Sequence, residues 1–255
     1  MLLTVDVGNT NMVFGGFLGD ELCFVSRIAT VSGLTEDEYA VKIRGILELH
    51  DVHTTEVCGA IISSVVPALT PILKKAIKTI YNVDALVVGP GMKTGINLLV
   101  DNPAQVGSDL ICACIAAFDK CKKPCIVLDL GTATKIMAVN ENGAFLGVSI
   151  IPGVELAMNA LANNTALLPQ IALDAPKHII GKNTIDCMHS GIVYGNACMI
   201  DGMLSRIHKE LKLGDMTYIA TGGLANIIIP HCEHKIEQDP HLLLKGLKIL
   251  YEKNK

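Results

Sequence analysis

The sequence has nine cysteines but no CxxC pair, 21 basic residues against 25 acidic ones, and no long apolar run that escapes interruption. Each shortage excludes something. Cysteines at positions 23, 58, 112, 114, 121, 125, 187, 198 and 232 are odd in number and lack paired spacing. They argue against a disulfide scaffold and for a reduced compartment in which most thiols act as small buried hydrophobes. A formal charge of −4 leaves no basic patch for nucleic acid or an anionic membrane. Met1-Leu2-Leu3-Thr4-Val5-Asp6 has no basic segment and reaches an acid too early for a secretory signal. The longest uncharged run, Val57 to Leu73, contains Pro67, Pro71 and several hydroxyl residues, so it reads as strand, turn and helix start. The expected location is the cytoplasm. His231-Cys232-Glu233-His234 collects metal-capable side chains without the ligand spacing of a zinc site, and reads as a surface loop.

What is abundant is apolar material: half of the 255 residues are hydrophobic and only 18% are charged. That suffices for one large core or two smaller ones, and suits a small-molecule partner. Strand patterns alternate with helical ones, which implies an α/β protein. Leu2 to Val7 and Met12 to Phe17 read as strands joined by the polar turn Gly8-Asn9-Thr10-Asn11. Thr35-Glu36-Asp37-Glu38 supplies a capping box ahead of Tyr39, Ile43, Ile46 and Leu47, which are spaced for one helical face. Ala60 to Val66 is a buried strand, and Pro67 opens the turn into a second helix. A further strand, Ala85 to Val88, precedes a long polar segment, Gly89 to Gly107. An apolar helix follows over about Asp109 to Phe118. From Cys125 the opening pattern returns, because Ile126-Val127-Leu128-Asp129-Leu130-Gly131-Thr132-Ala133-Thr134 parallels the start of the chain. Two such matches, each heading a half of similar length, suggest a duplication into lobes of residues 1–120 and 121–255. The second half continues with a hairpin to about Gly147, a helix from Gly153, a long helix from Asn183 to Leu211, a strand near Tyr218, a turn at Gly222-Gly223 and a terminal helix after Pro240.

Each repeated motif places a carboxylate at a strand end beside a glycine turn flanked by hydroxyl and amide side chains. Phosphate needs such backbone donors, and its magnesium needs a carboxylate. An ordinary Asn/Thr hairpin bonded to its own backbone is the competing reading for either copy alone. Ala220-Thr221-Gly222-Gly223-Leu224-Ala225 adds a glycine pair at a strand-to-helix junction, which suits the adenosine side of a nucleotide or simply a tight turn.

These motifs, with Val88 to Gly95, Asp101-Asn102-Pro103, Val106-Gly107-Ser108-Asp109, Pro152-Gly153, Leu167-Leu168-Pro169, Gly181-Lys182-Asn183-Thr184 and Ser190 to Gly195, resemble those of the type III pantothenate kinases over essentially the full length. Those enzymes are members of the acetate and sugar kinase, heat-shock chaperone and actin superfamily. The resemblance implies two duplicated actin-like ATPase (ribonuclease H-like) lobes around a nucleotide cleft, with Asp6 and Asp129 facing each other across it. It also implies ATP-dependent phosphorylation of pantothenate, the first step toward coenzyme A, with Mg2+, a monovalent cation (K+ or NH4+) and a homodimeric assembly. By the same resemblance Asp6, Val7, Gly8, Asn9, Thr10, Asn11, Met12 and Val13 hold the ATP phosphates and Thr132 contacts ATP. Asp109 is the general base, Asp129 binds the monovalent cation, and Gly107, Ser108, Asp109, Leu110 and Thr184 hold pantothenate. Read without the family, Asp109 is equally a first-turn acid at a helix start.

Three positions depart from the family pattern. Gly-Ala-Asp-Arg reads Gly107-Ser108-Asp109-Leu110 here, which removes a guanidinium expected near the substrate carboxylate. Val100 replaces the tyrosine before Asp101-Asn102-Pro103, and Lys135 replaces the threonine after Gly131-Thr132-Ala133-Thr134. Leu110 and Val100 leave open a paralogue of altered substrate or weak activity that acts as a nucleotide-binding regulator. Lys135 is either a solvated strand-edge lysine or a fixed ammonium that replaces the mobile cation.

Overall fold

The computed structural model describes residues 1–255, the side chain of Thr54 excepted. Its chain divides into two units. Met1–Ile96, Asp101–Ala116 and Leu242–Lys255 form the first, and Asn97–Val100 with Ala117–His241 form the second.

The first unit is built on β1 (Leu2–Val7), β2 (Asn11–Leu18), β3 (Glu21–Ala29), α1 (Glu36–Glu48), β4 (Gly59–Ser64), α2 (Thr70–Tyr81) and β5 (Leu86–Val87). Its sheet runs β3-β2-β1-β4-β5, antiparallel through the two hairpins and parallel from β1 to β4 and β5. Period-two alternation sends Leu3, Val5 and Val7 to one face, where they meet Tyr39, Ile43 and Leu47 of α1 and Leu73 and Ile77 of α2. Leu2, Phe17 and Ile61 point the other way. They pack on Cys112 and Ile115 of α3 (Ser108–Cys121) and on three leucines, Leu244, Leu247 and Leu250, of a C-terminal helix. Helix α1 begins at the capping box read from sequence: Thr35 accepts from the Glu38 N–H, and the Glu38 carboxylate accepts from the Thr35 N–H.

Strand β3 is announced only by a four-residue apolar run, Leu22 to Val25. Glu21, Ser26 and Arg27 flank it, and only Phe24 is buried, because β3 is an edge strand covered on one side.

The second unit repeats the plan with β6 (Cys125–Leu130), β7 (Ala133–Val139), β8 (Phe145–Pro152), α4 (Val154–Asn164), α5 (Thr184–Leu211), β9 (Thr217–Thr221), α6 (Ala225–Ile228) and β10 (Glu237–Gln238); α7 (Leu242–Asn254), which closes the chain, is the C-terminal helix of the first unit. Its sheet order is β10-β9-β6-β7-β8, which is the first sheet's order with β6 in the place of β1 and β9 in the place of β4. Ile126, Leu128, Leu130 and Ile136 pack on Val154 and Met158 of α4 and on Ile192, Val193 and Ile200 of α5.

The registers repeat as well. Asp6 lies opposite Val13 on one side and Ser63 on the other; Asp129 lies opposite Lys135 and Thr221. The second hairpin is one residue shorter, so Lys135, not Ile136, takes the place directly across from the aspartate. No helix among the described residues is long and apolar enough to cross a membrane.

Candidate active site

In the first unit, Asp6 sits one residue from the end of β1. The turn after it is held by Gly8 N–H donating to the Asn11 carbonyl at 3.0 Å and by the Thr30 hydroxyl donating to the Gly8 carbonyl at 2.7 Å. Asn9 and Thr10 are exposed at its tip, presenting backbone to solvent. Thr30, from the end of the β3 region, is a supporting residue that sequence reasoning missed.

Asp109 is the second residue of α3, at the positive end of a 14-residue helix. Its carboxylate folds back over Gly107, where an added Cβ would collide with Oδ1. Asp6 and Asp109 approach the same place from strand and helix. Burial pushes the Cys112 thiol well above its ordinary range, and the charges of Asp6 and then Asp109 push it further the same way. The structure thus gathers Asp6, Gly107, Ser108 and Asp109 within one unit. Leu110 is buried, with 7% of its surface exposed, so no polar substrate group can pair with its side chain.

Two further residues belong to this group and carry no motif of their own. Ser63 and Ser64 end β4, and the Ser63 hydroxyl lies 2.9 Å from that of Ser108. The signal was faint: a polar pair closing an otherwise apolar strand.

In the second unit, Asp129 and Lys135 form an ion pair at 3.0 Å, with 19% and 22% of their side chains exposed. This overturns the solvated reading of Lys135. A two-residue turn, Gly131-Thr132, puts both side chains on one face of the sheet.

Helix α4 starts against that turn. Its N-cap, Gly153, lies so close to the carbonyls of Gly131 and Thr132 that any side chain would strike them. Gly222, at φ +95°, crosses equally close to the Leu130 backbone. Three backbone segments therefore converge beside Asp129 and Thr132, with the N-terminus of α4 among them.

Thr184 opens α5 behind the N-cap Asn183, whose side chain accepts from Asp186 N–H at 3.0 Å. It lines a cavity of about 800 Å³ whose wall includes Leu161, Leu168, Lys182, Cys187 and Met188 but neither Asp129 nor Thr132. The loop before α5 is tied to that helix through His189 to the Ala172 carbonyl and Ser190 to the Ile179 carbonyl. Lys182 forms no ion pair among the described residues and is exposed to the cavity's solvent.

The loop at 231–234 holds no metal cluster among the described residues. His231 stacks edge-on to Tyr194, and His234 pairs with Asp201 at 2.8 Å.

A sequence profile describing type III pantothenate kinases matches residues 2–206. A type III pantothenate kinase of Moorella thermoacetica is 41% identical over 254 residues, covering 100% of both chains; one of an Exiguobacterium species is likewise 41% identical, covering 100% of this chain and 99% of its own. The chain belongs to the type III pantothenate kinase family. Among solved structures, component A of the Acidaminococcus fermentans (R)-2-hydroxyglutaryl-CoA dehydratase superposes with a TM-score of 0.58 at 17% identity, covering 98% of this chain and 96% of that one. A ROK hexokinase from Thermus thermophilus gives 0.52 at 10% identity, covering 98% and 97%. At such identities they establish the fold alone: a duplicated, actin-like ATPase architecture. This type III pantothenate kinase family member carries aspartates at 6, 109 and 129, threonine at 184, and Leu110, Val100 and Lys135.

Proposed function

We propose that this chain transfers the γ-phosphoryl group of ATP to the hydroxyl of pantothenate, giving 4'-phosphopantothenate at the start of coenzyme A synthesis in the cytoplasm. Membership of the type III pantothenate kinase family over the full length carries this reading. No observation favours the alternative of a kinase-weak regulator.

The roles follow from what phosphoryl transfer demands, which is positioning and charge neutralisation more than covalent help. The turn Asp6 to Val13 offers backbone N–H groups to the phosphates. The Asp6 carboxylate, a hard oxygen donor among hydroxyl and amide groups, is the residue that would hold Mg2+, usually through water. When bound, Mg2+ neutralises charge on the phosphates. Asp109 accepts the proton of the attacking hydroxyl. The Gly131-Thr132 turn, with Gly153 and Gly222 crowded against it, takes the rest of the nucleotide.

The mobile monovalent cation does not fit the second unit in the same way, since the Asp129 carboxylate already holds the Lys135 ammonium. That ammonium serves as the fixed cation.

The cavity at Thr184 receives pantothenate, and Lys182 offers its carboxylate the positive charge that Leu110 does not. The assembly is a homodimer.

A coupled assay of ADP release with and without pantothenate tests the reading. Turnover should depend on pantothenate and fall by about 10³-fold or more in Asp109→Asn. Turnover indifferent to pantothenate would refute it.

A further inference from the structure

We propose that Ser63 is a positioning residue for Asp109, acting through Ser108. This rests on the reading of Asp109 as the general base. β4 runs parallel to β1 with Ser63 directly opposite Asp6, so the two side chains share the face of the sheet that α3 covers. Ser63 is fully buried. Its hydroxyl lies 2.9 Å from the Ser108 hydroxyl; Ser108 Oγ also accepts from the Ser64 N–H at 3.2 Å and donates to the Ser64 carbonyl at 3.4 Å. The first residue of α3 is therefore fastened to the end of β4, and Asp109 follows it directly.

The fastening matters because Asp109 stands where a loop passes into the helix. Between β5 and α3 the chain runs through 88–107 with one short 3-10 turn, Pro103–Gln105, as its only helical piece among the described residues. The first turn of a helix entered from such a loop frays unless side chains pin it. A general base tolerates little shift, since an error of about 1 Å in placement costs on the order of 10²-fold in rate.

Steady-state kinetics on Ser63→Ala, Ser108→Ala, the double variant and Ser108→Thr test the proposal. Each alanine variant should lose roughly tenfold in kcat with pantothenate while the KM for ATP and the melting temperature stay close to wild type. The double variant should lose no more than Ser108→Ala alone, because that change already removes the bond to Ser63. Ser108→Thr, which keeps the hydroxyl, should retain most of the rate. Unchanged kcat in both single variants, additive losses, or losses that track a falling melting temperature and a rising ATP KM would overturn it. Asp109→Asn separates this from the underlying reading. If that variant turns over like wild type, the base assignment fails and the positioning proposal falls with it. If it is inactive while both serine variants are normal, only the positioning proposal fails.

Discussion

Lys135 and Asp129 face each other across a two-residue hairpin, each about four-fifths shielded from solvent. At that burial the pairing is stronger than a surface salt bridge, and removing one partner leaves a partly desolvated charge behind. A potassium ion entering the same place would have to displace a tethered ammonium, which loses little entropy on binding because the chain already holds it there. Turnover by the wild-type protein should therefore be flat as KCl is raised from zero. Lys135→Thr, which restores the family residue, should lose about tenfold without added salt and regain most of it with K+ but not with a bulky organic cation. Wild-type activity that climbs steeply with K+ would remove the ammonium from this role. The exchange is visible in sequence only once the hairpin length is known: counting from Gly131 as from Gly8 pairs the aspartate with Ile136, and the shorter turn moves the partner back by one, to Lys135.

At the scale of elements, the second site depends on how closely three backbone segments approach, and glycine makes that approach possible. Gly153 caps α4 with its Cα against the Gly131 and Thr132 carbonyls. A methyl there must push the helix start away from the turn. Gly45 sits in α1 with open space where a Cβ would stand. Gly153→Ala should raise the KM for ATP by tenfold or more, a loss of about 1.4 kcal/mol in binding, while the same change at Gly45 should leave kinetics alone and add up to roughly 1 kcal/mol of stability. Equal kinetic effects at the two positions would show that the contact at Gly153 has no part in nucleotide binding. Thr35, Gly153 and Asn183 were readable as helix starts because a cap is written within four residues of sequence. So were the two Asp-Gly turns. Ser63, Thr30 and strand β3 were not, because their parts depend on partners that only the sheet brings close: Ser63 needs Ser108, 45 residues on, and β3 needs the edge of β2. The C-terminal helix α7 was legible as a helix, yet its packing on β1 rests on Leu244, Leu247 and Leu250 meeting residues some 240 positions earlier.

For the whole molecule, the placement of exposed apolar residues is uneven. Of the twelve large hydrophobic side chains left exposed among the described residues, seven fall between Ile150 and Ile185, among them Leu167 at 89%, Ile180 at 76% and Ile179 at 65%. A stable monomer scatters such residues singly, and concentration along one stretch of chain marks a surface that something covers. The stretch includes the lead-in to Thr184 and the loop tied to α5 by His189 and Ser190, so it is held in place and not a loose tail. A second copy of the chain is the simplest cover, because a two-fold interface needs only one self-complementary patch. Light scattering after gel filtration should then give about twice the 27.2 kDa of one chain. Ile180→Glu, which sets like charges against each other across such an axis, should shift the protein to monomers at micromolar concentration without unfolding it. The monomeric variant also tells cover from catalysis. If the KM for pantothenate rises as the dimer is lost while the KM for ATP does not, the neighbouring subunit closes the Thr184 cavity; if neither changes, the apolar stretch serves assembly alone. A wild-type protein that elutes as a monomer with full pantothenate-dependent turnover would leave these residues to contact the substrate's own apolar body within a single chain.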